Sequence, residues 1–197
     1  MKKILRFSAI AAAILLVSLV GTVFVVQRVS DGPIGPFAGG PLRAGALVSE
    51  PNVDWSFLGG GRELELQLVD PPRSRITGAL VHDGQLFVPC DLGFIWRRAA
   101  STPFRWIGGA IYLVKRWHEE ALRDGRAVLR IADKRYERQA VRVTDPGLLA
   151  TLRSIMDERA RQYMASRGGL LDVPGDPEAI WFFRMDPRPA ATELAPS

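Results

Sequence analysis

The chain predicts an α+β fold: a six-stranded antiparallel barrel with packed helices, preceded by one N-terminal transmembrane helix. Three observations predict it. Phe7–Val26 is a run of 20 residues without a charge. From Glu63 to Met185 the chain holds short alternating or wholly apolar runs separated by turn residues. One long amphipathic helical pattern precedes the last of these runs.

As a helix, Phe7–Val26 would span roughly 30 Å, the depth of a bilayer's hydrocarbon. Lys2, Lys3 and Arg6 precede it, which keeps the N-terminus in the cytoplasm and sends the body outside. The expected location is the cytoplasmic membrane, single-pass, with a periplasmic or extracellular body. A cleaved signal peptide is the alternative. Its apolar core would be about 7–15 residues with small residues at the cleavage site, and "VVQRVSDG" offers no such site.

The net charge of +5 suggests nucleic acid at first sight. Four of the 26 basic residues lie in or beside the apolar run, and all 21 acids lie at or beyond Asp31, so the body carries only +1. That is no nucleic-acid footprint. A single cysteine, Cys90, excludes an intrachain disulfide, and two histidines, His82 and His118, offer no metal cluster.

Residues 29–53 hold five Gly and four Pro, an extended linker or a strap lying over the domain. The body is expected over 54–186, with a disordered tail over 187–197. "ELELQLV", Glu63 to Val69, alternates at period two and predicts a half-buried strand. "SRITGALV" and "QLFVPC" flank His82-Asp83-Gly84, a hairpin signal. Residues 91–114 form an insertion rich in aromatics and arginine, read as a lid, an interface, a lipid contact or a self-packed segment.

"KRWHEEALRDGRAVLRI", residues 115–131, predicts a short helix with Trp117, Ala121 and Leu122 on one face. Gly125 is its left-handed stop, and a strand follows. A hairpin around Asp133-Lys134 would set Ile131 against Tyr136 and Arg130 against Glu137. Asp145 can cap the long helix, with Pro146 in its first turn. Leu149, Leu152, Met156, Ala160 and Tyr163 form its stripe, and Gly168-Gly169 end it. "AIWFFRM", Ala179 to Met185, predicts the closing strand.

This order resembles the flavin-binding split barrel of pyridoxamine-phosphate-oxidase-like and deazaflavin-dependent nitroreductase-like proteins. Three passages carry the likeness: "PPRSRITGALVHDGQLFVPC", "KRWHEEALRDGRAVLRI" and "KRYERQAVRVTDPGLLATLRSIM". Where the family has Gly-Arg-Lys-Ser-Gly for phosphate, this chain has Pro71-Pro72-Arg73-Ser74-Arg75. The resemblance implies a split barrel that binds FMN or a deazaflavin, or no cofactor, and a homodimer. It implies cofactor-binding roles for Arg73, Ser74, Arg75, Lys115, Arg116 and Trp117.

The residues themselves leave alternatives open. Two guanidiniums and a hydroxyl suit a phosphate, but on a strand Arg73 and Arg75 share a face that Ser74 does not. They equally suit a solvated strand start. Lys115 and Arg116 open a helix, where anions are favoured. Trp117 also reads as core, Cys90 as a buried small hydrophobe, and His82 and His118 as surface. No catalytic residue is singled out. Two functions follow: an extracytoplasmic flavin- or deazaflavin-dependent oxidoreductase, or a non-catalytic envelope module binding a hydrophobic ligand, a lipid surface or a partner protein.

Overall fold

The computed structural model describes residues 2–34, 38–59, 63–91, 117–166 and 180–188, without the side chains of 2–9, 12, 23, 91 and 163–166. Helix α1 is Lys2–Val29 and forms over the predicted apolar run. Among the described residues, no helix is long and apolar enough to cross a membrane. The expected transmembrane helix thus finds no support among the described residues. The described side chains of α1 begin at Ile10, inside the uncharged run, and so cover only part of it.

The strands are β1 (Ala46–Val48), β2 (Glu63–Leu68), β3 (Arg73–Gly78), β4 (Leu80–His82), β5 (Gln85–Asp91), β6 (Arg126–Ile131), β7 (Lys134–Arg142) and β8 (Ile180–Pro187). Helix α2 is Trp117–Arg123 and α3 is Pro146–Ser166. A single 3₁₀ turn, Trp55–Leu58, is capped by the Asp54 carboxylate.

The strands make one curled sheet in the order β3-β2-β6-β7-β8-β5-β4, with β1 added to β7 in parallel. The expectation of six strands is therefore corrected to eight among the described residues. Two causes account for the difference. The predicted strand "SRITGALV" bends at Gly78-Ala79, so its first part pairs β2 and its second part pairs β5. The two ends of the sheet path are thus consecutive in the chain, which is what curls the sheet. The other addition is β1, three residues of the Gly/Pro stretch that reads as linker or strap.

Period-two patterning puts Leu64, Leu66 and Leu68 of β2 inside the curl, with Ala127, Leu129 and Ile131 of β6 and Tyr136 and Ala140 of β7. Strands β5 and β8 are apolar on both faces because each faces two cores. Val88, Cys90, Phe183 and Met185 point into the curl. Phe87, Ile180 and Phe182 point out, onto α3. Leu148, Leu149, Leu152, Ile155 and Met156 of α3 cover them. The predicted stripe thus gains Leu148 and Ile155 and loses Ala160, which is exposed. Asp145 caps α3 as expected, accepting from Leu148 N at 2.7 Å.

Three local expectations change. The β6–β7 turn is Ala132-Asp133, both at positive φ, so Arg130 pairs with Arg135 and Leu129 with Tyr136. The two-residue slip keeps every side chain on its predicted face. Gly125 is not left-handed. It is required because a Cβ there would collide with the carbonyl oxygen of Ala140, whose own N–H donates to Gly125 O at 2.7 Å. Leu122 lies exposed, while Trp117 and Ala121 are buried. The Asp83-Gly84 hairpin forms as expected. Tyr163's side chain, the Gly168-Gly169 stop, the insertion after Asp91 and the tail beyond Arg188 lie outside the described residues.

Candidate functional site

Two neighbourhoods surround the residues that sequence singles out, one on each face of β3. Outside, Gln67 and Ser74 are cross-strand partners on β2 and β3. Both are buried under residues 38–42. Ser74 Oγ donates to Gly40 O at 2.6 Å, and Gln67 Oε1 accepts from Leu42 N at 2.6 Å. Gly39 exchanges two backbone hydrogen bonds with Ser74. A Cβ at Gly39 or Gly40 would strike the backbone of Gly32 or Ser30 in the same strap, so glycine is what lets the two segments lie this close.

The clasp continues along the outer face. Arg130 of β6 donates to Glu65 at 2.5 Å and to Asp31 at 2.9 Å. Asp31 also accepts from the backbone N–H groups of Arg43 and Ala44. Those bonds, led by the one from Arg43, hold its carboxyl below the ordinary value of 3.8, against the opposing effect of burial. Arg135 donates to the carbonyls of Gly45 and Leu42. On the inner face of β7, between Tyr136 and Ala140, Arg138 is 3% exposed; it donates to the carbonyls of Glu50 and Pro51 and stacks over Trp55 at 5.3 Å. The described residues among 30–51 therefore form a bound strap. Glu65, Gln67, Arg130, Arg135 and Arg138 hold it, and sequence reasoning assigned none of them that role. For the first four, the available signal was polar residues recurring on one face of strands whose other face is apolar; Arg138 lies on the apolar face and carried no such signal.

Inside the curl, Arg75 stands opposite Leu66. Its side chain is 19% exposed, and its Nη2 lies 3.8 Å from Glu120 Oε2. Its guanidinium is 5.5 Å from the Trp117 ring, and Trp117 in turn packs on Phe183 at 5.2 Å. Arg75 Nε is buried with no hydrogen-bond partner among the described residues. Burial pushes its pKa down to about 10, with Glu120 opposing. Nearby, His118 meets Trp181 edge-on at 5.1 Å, and Arg142 lies over the Trp181 ring at 3.7 Å. A buried cation with a spare N–H beside an aromatic face can hold an anionic or carbonyl-bearing planar group.

The six predicted cofactor residues are therefore not brought together as one described site. Ser74 is on the strap side, Arg75 and Trp117 are inside, and Arg73 is exposed at the end of β3. Lys115 and Arg116 lie outside the described residues. Trp117 is core, 2% exposed, and Cys90 is buried.

No family model and no curated protein matches the chain. Among solved structures it is similar to a candidate pyridoxamine 5'-phosphate oxidase from Listeria innocua, at 17% identity and a TM-score of 0.35, covering 64% of this chain and 84% of that one.

Proposed function

We propose that this chain is a non-catalytic, membrane-tethered envelope module. Its curled sheet is held at a set orientation to the anchor by the strap, with the body outside the cytoplasm. One observation carries this reading. The described residues between helix and sheet are bonded to β2, β3, β6 and β7, and the Ser of Arg73-Ser74-Arg75 is one of the fastenings. A flexible tether needs none of these bonds, whereas a device that fixes orientation needs all of them. The uncharged run Phe7–Val26 and the basic residues before it support the anchor. Membranes from cells making the full chain should retain it through an alkaline carbonate wash, and protease added from outside should digest the body. Release by carbonate, or protection from protease, would overturn the reading.

A second reading keeps the split barrel and gives it FMN or a deazaflavin, with the protein as an oxidoreductase, alone or as a homodimer. Arg75 favours it, because its buried Nε has no partner among the described residues and its guanidinium lies 5.5 Å from the Trp117 ring. The chain's part would be position and charge, and the redox step would be the cofactor's. Full chain purified in neutral detergent would then show flavin absorbance or bind added FMN or deazaflavin, and Arg75→Met would weaken that binding. A colourless protein whose melting temperature neither cofactor shifts would exclude it.

A further inference from the structure

Where α1, the strap and the β2–β3 turn meet, the surface holds a groove of ≈ 310 Å³. Arg28, Arg43 and Arg73 line it from three separate segments, with Phe24 beside them. We propose that this groove binds a phosphate-bearing anion and that its source is the headgroup of an anionic membrane lipid, whose acyl chains lie along α1.

The charge pattern comes first. None of the 11 lining residues is acidic. On or beside the sheet, four arginines are matched to carboxylates: Arg126 to Asp124, Arg130 to Asp31 and Glu65, Arg184 to Asp186 and Arg188 to Glu137; Arg135 and Arg138 bond backbone carbonyls instead, and Arg142 lies over Trp181. The three groove arginines are exposed, and their guanidiniums have no carboxylate or hydrogen-bond partner among the described residues. Arg28 instead lies over the Phe24 ring one turn back, at 4.7 Å. Of the two nearest acids in sequence, Asp31 is engaged by Arg130 and by two strap N–H groups, and Asp70, next to Pro71, is exposed and acts on Arg126. Three unmatched guanidiniums suit a phosphate, whose oxygens accept several N–H bonds at once.

The walls are fixed before any ligand arrives. Gly39 is bonded to Ser74 in both directions, and Gly40 N–H donates to Ser30 Oγ at 3.2 Å. Neither glycine has room for a Cβ against the chain leaving α1. Arg43 is therefore carried on a strap that does not have to order on binding, with Arg28 on helix α1 and Arg73 on β3, which lowers the entropic cost.

The surroundings select the source. Val25, Val26 and Val29 are exposed on the last turns of α1, and Leu15, Val17, Leu19 and Val20 lie exposed further back. An apolar helix that ends in a cationic groove matches a molecule with hydrocarbon at one end and phosphate at the other. This assignment rests on the tethered-module reading for the source of the anion only. The groove itself does not depend on that reading.

The test uses the full chain in a neutral detergent. It is titrated by calorimetry with inorganic phosphate, and separately with micelles doped with phosphatidylglycerol or with phosphatidylcholine. The expected result is saturable binding of phosphatidylglycerol, weaker binding of inorganic phosphate and weakest binding of phosphatidylcholine. Each of Arg28→Gln, Arg43→Gln and Arg73→Gln should weaken binding about five-fold, and the triple variant about a hundred-fold. Their circular dichroism should be unchanged, because all three heads are exposed. Equal affinity for phosphate and phosphatidylglycerol, still lost in the triple variant, supports the groove and assigns its anion to solution rather than to lipid. No saturable binding of either, or a triple variant that binds like the parent, overturns the proposal. The carbonate wash reads the tether without reference to this groove, so the two can fail separately.

Discussion

Ser74 illustrates how a residue type can point to chemistry and yet serve structure. A hydroxyl between two arginines suits a phosphate, but here it donates to Gly40 O and is 0% exposed. Ser74→Ala should destabilise the chain by about 1–2 kcal/mol in chemical denaturation, because a buried carbonyl loses its donor. Gln67→Leu should cost about as much, because it strands the Leu42 N–H. Arg75 is the opposite case, a charge inside the curl that depends on Glu120. Glu120→Gln should cost about 1–3 kcal/mol, and adding Arg75→Met should recover most of it, since removing a buried pair together is cheaper than removing half. Asp31 supplies the pH dependence. Its carboxyl is held below 3.8 in the folded state, so its stabilisation is present above that value and fades as pH falls through the folded pKa. Below about pH 4 the parent should lose melting temperature faster than Asp31→Asn does.

Elements were legible where one local signal decides them. Asp83-Gly84 is a turn because those residues tolerate positive φ, and Asp145-Pro146 begins α3 because one caps and the other suits the first turn. The β6–β7 turn was misplaced because nothing in Ala132 announces φ 47°; tertiary pairing imposes it. Ala132→Asn should therefore stabilise the hairpin by a few tenths to about 1 kcal/mol, read by denaturation. The bend at Gly78-Ala79 was hidden for a similar reason. "SRITGALV" reads as one strand, and only its two partners reveal two. The Ala79 carbonyl at the bend is met by Arg159 of α3 at 2.8 Å, a contact 80 residues away that no sequence window contains. Leu152, 0% exposed at the same interface, was visible in the helical stripe. Leu152→Ala should cost about 2–5 kcal/mol.

At the scale of the molecule, the α+β class, the strand-rich body and the two-faced apolar strands followed from hydrophobic period. The candidate site did not. Its proposed members sit on opposite faces of β3 or in separate elements, and side-chain period alone already set Ser74 apart from its neighbours. What sequence left undecided was whether residues 29–53 are a loose linker or a strap, since Gly and Pro suit both. The difference lies in partners 25 to 99 residues away, among them Gln67, Ser74, Arg130 and Arg135. That strap joins the helix to the sheet, blocks the outer face of β3 and supplies one wall of the arginine groove, so the functional reading depends on it. Amide hydrogen exchange on the full chain tests it most directly. Gly39, Leu42, Arg43 and Ala46, whose N–H groups all have partners, should be protected alongside the β2 and β6 amides, and Gln67→Leu should release Leu42. If those amides exchange as fast as an unstructured chain, while the sheet stays protected, the strap is a linker and the account fails.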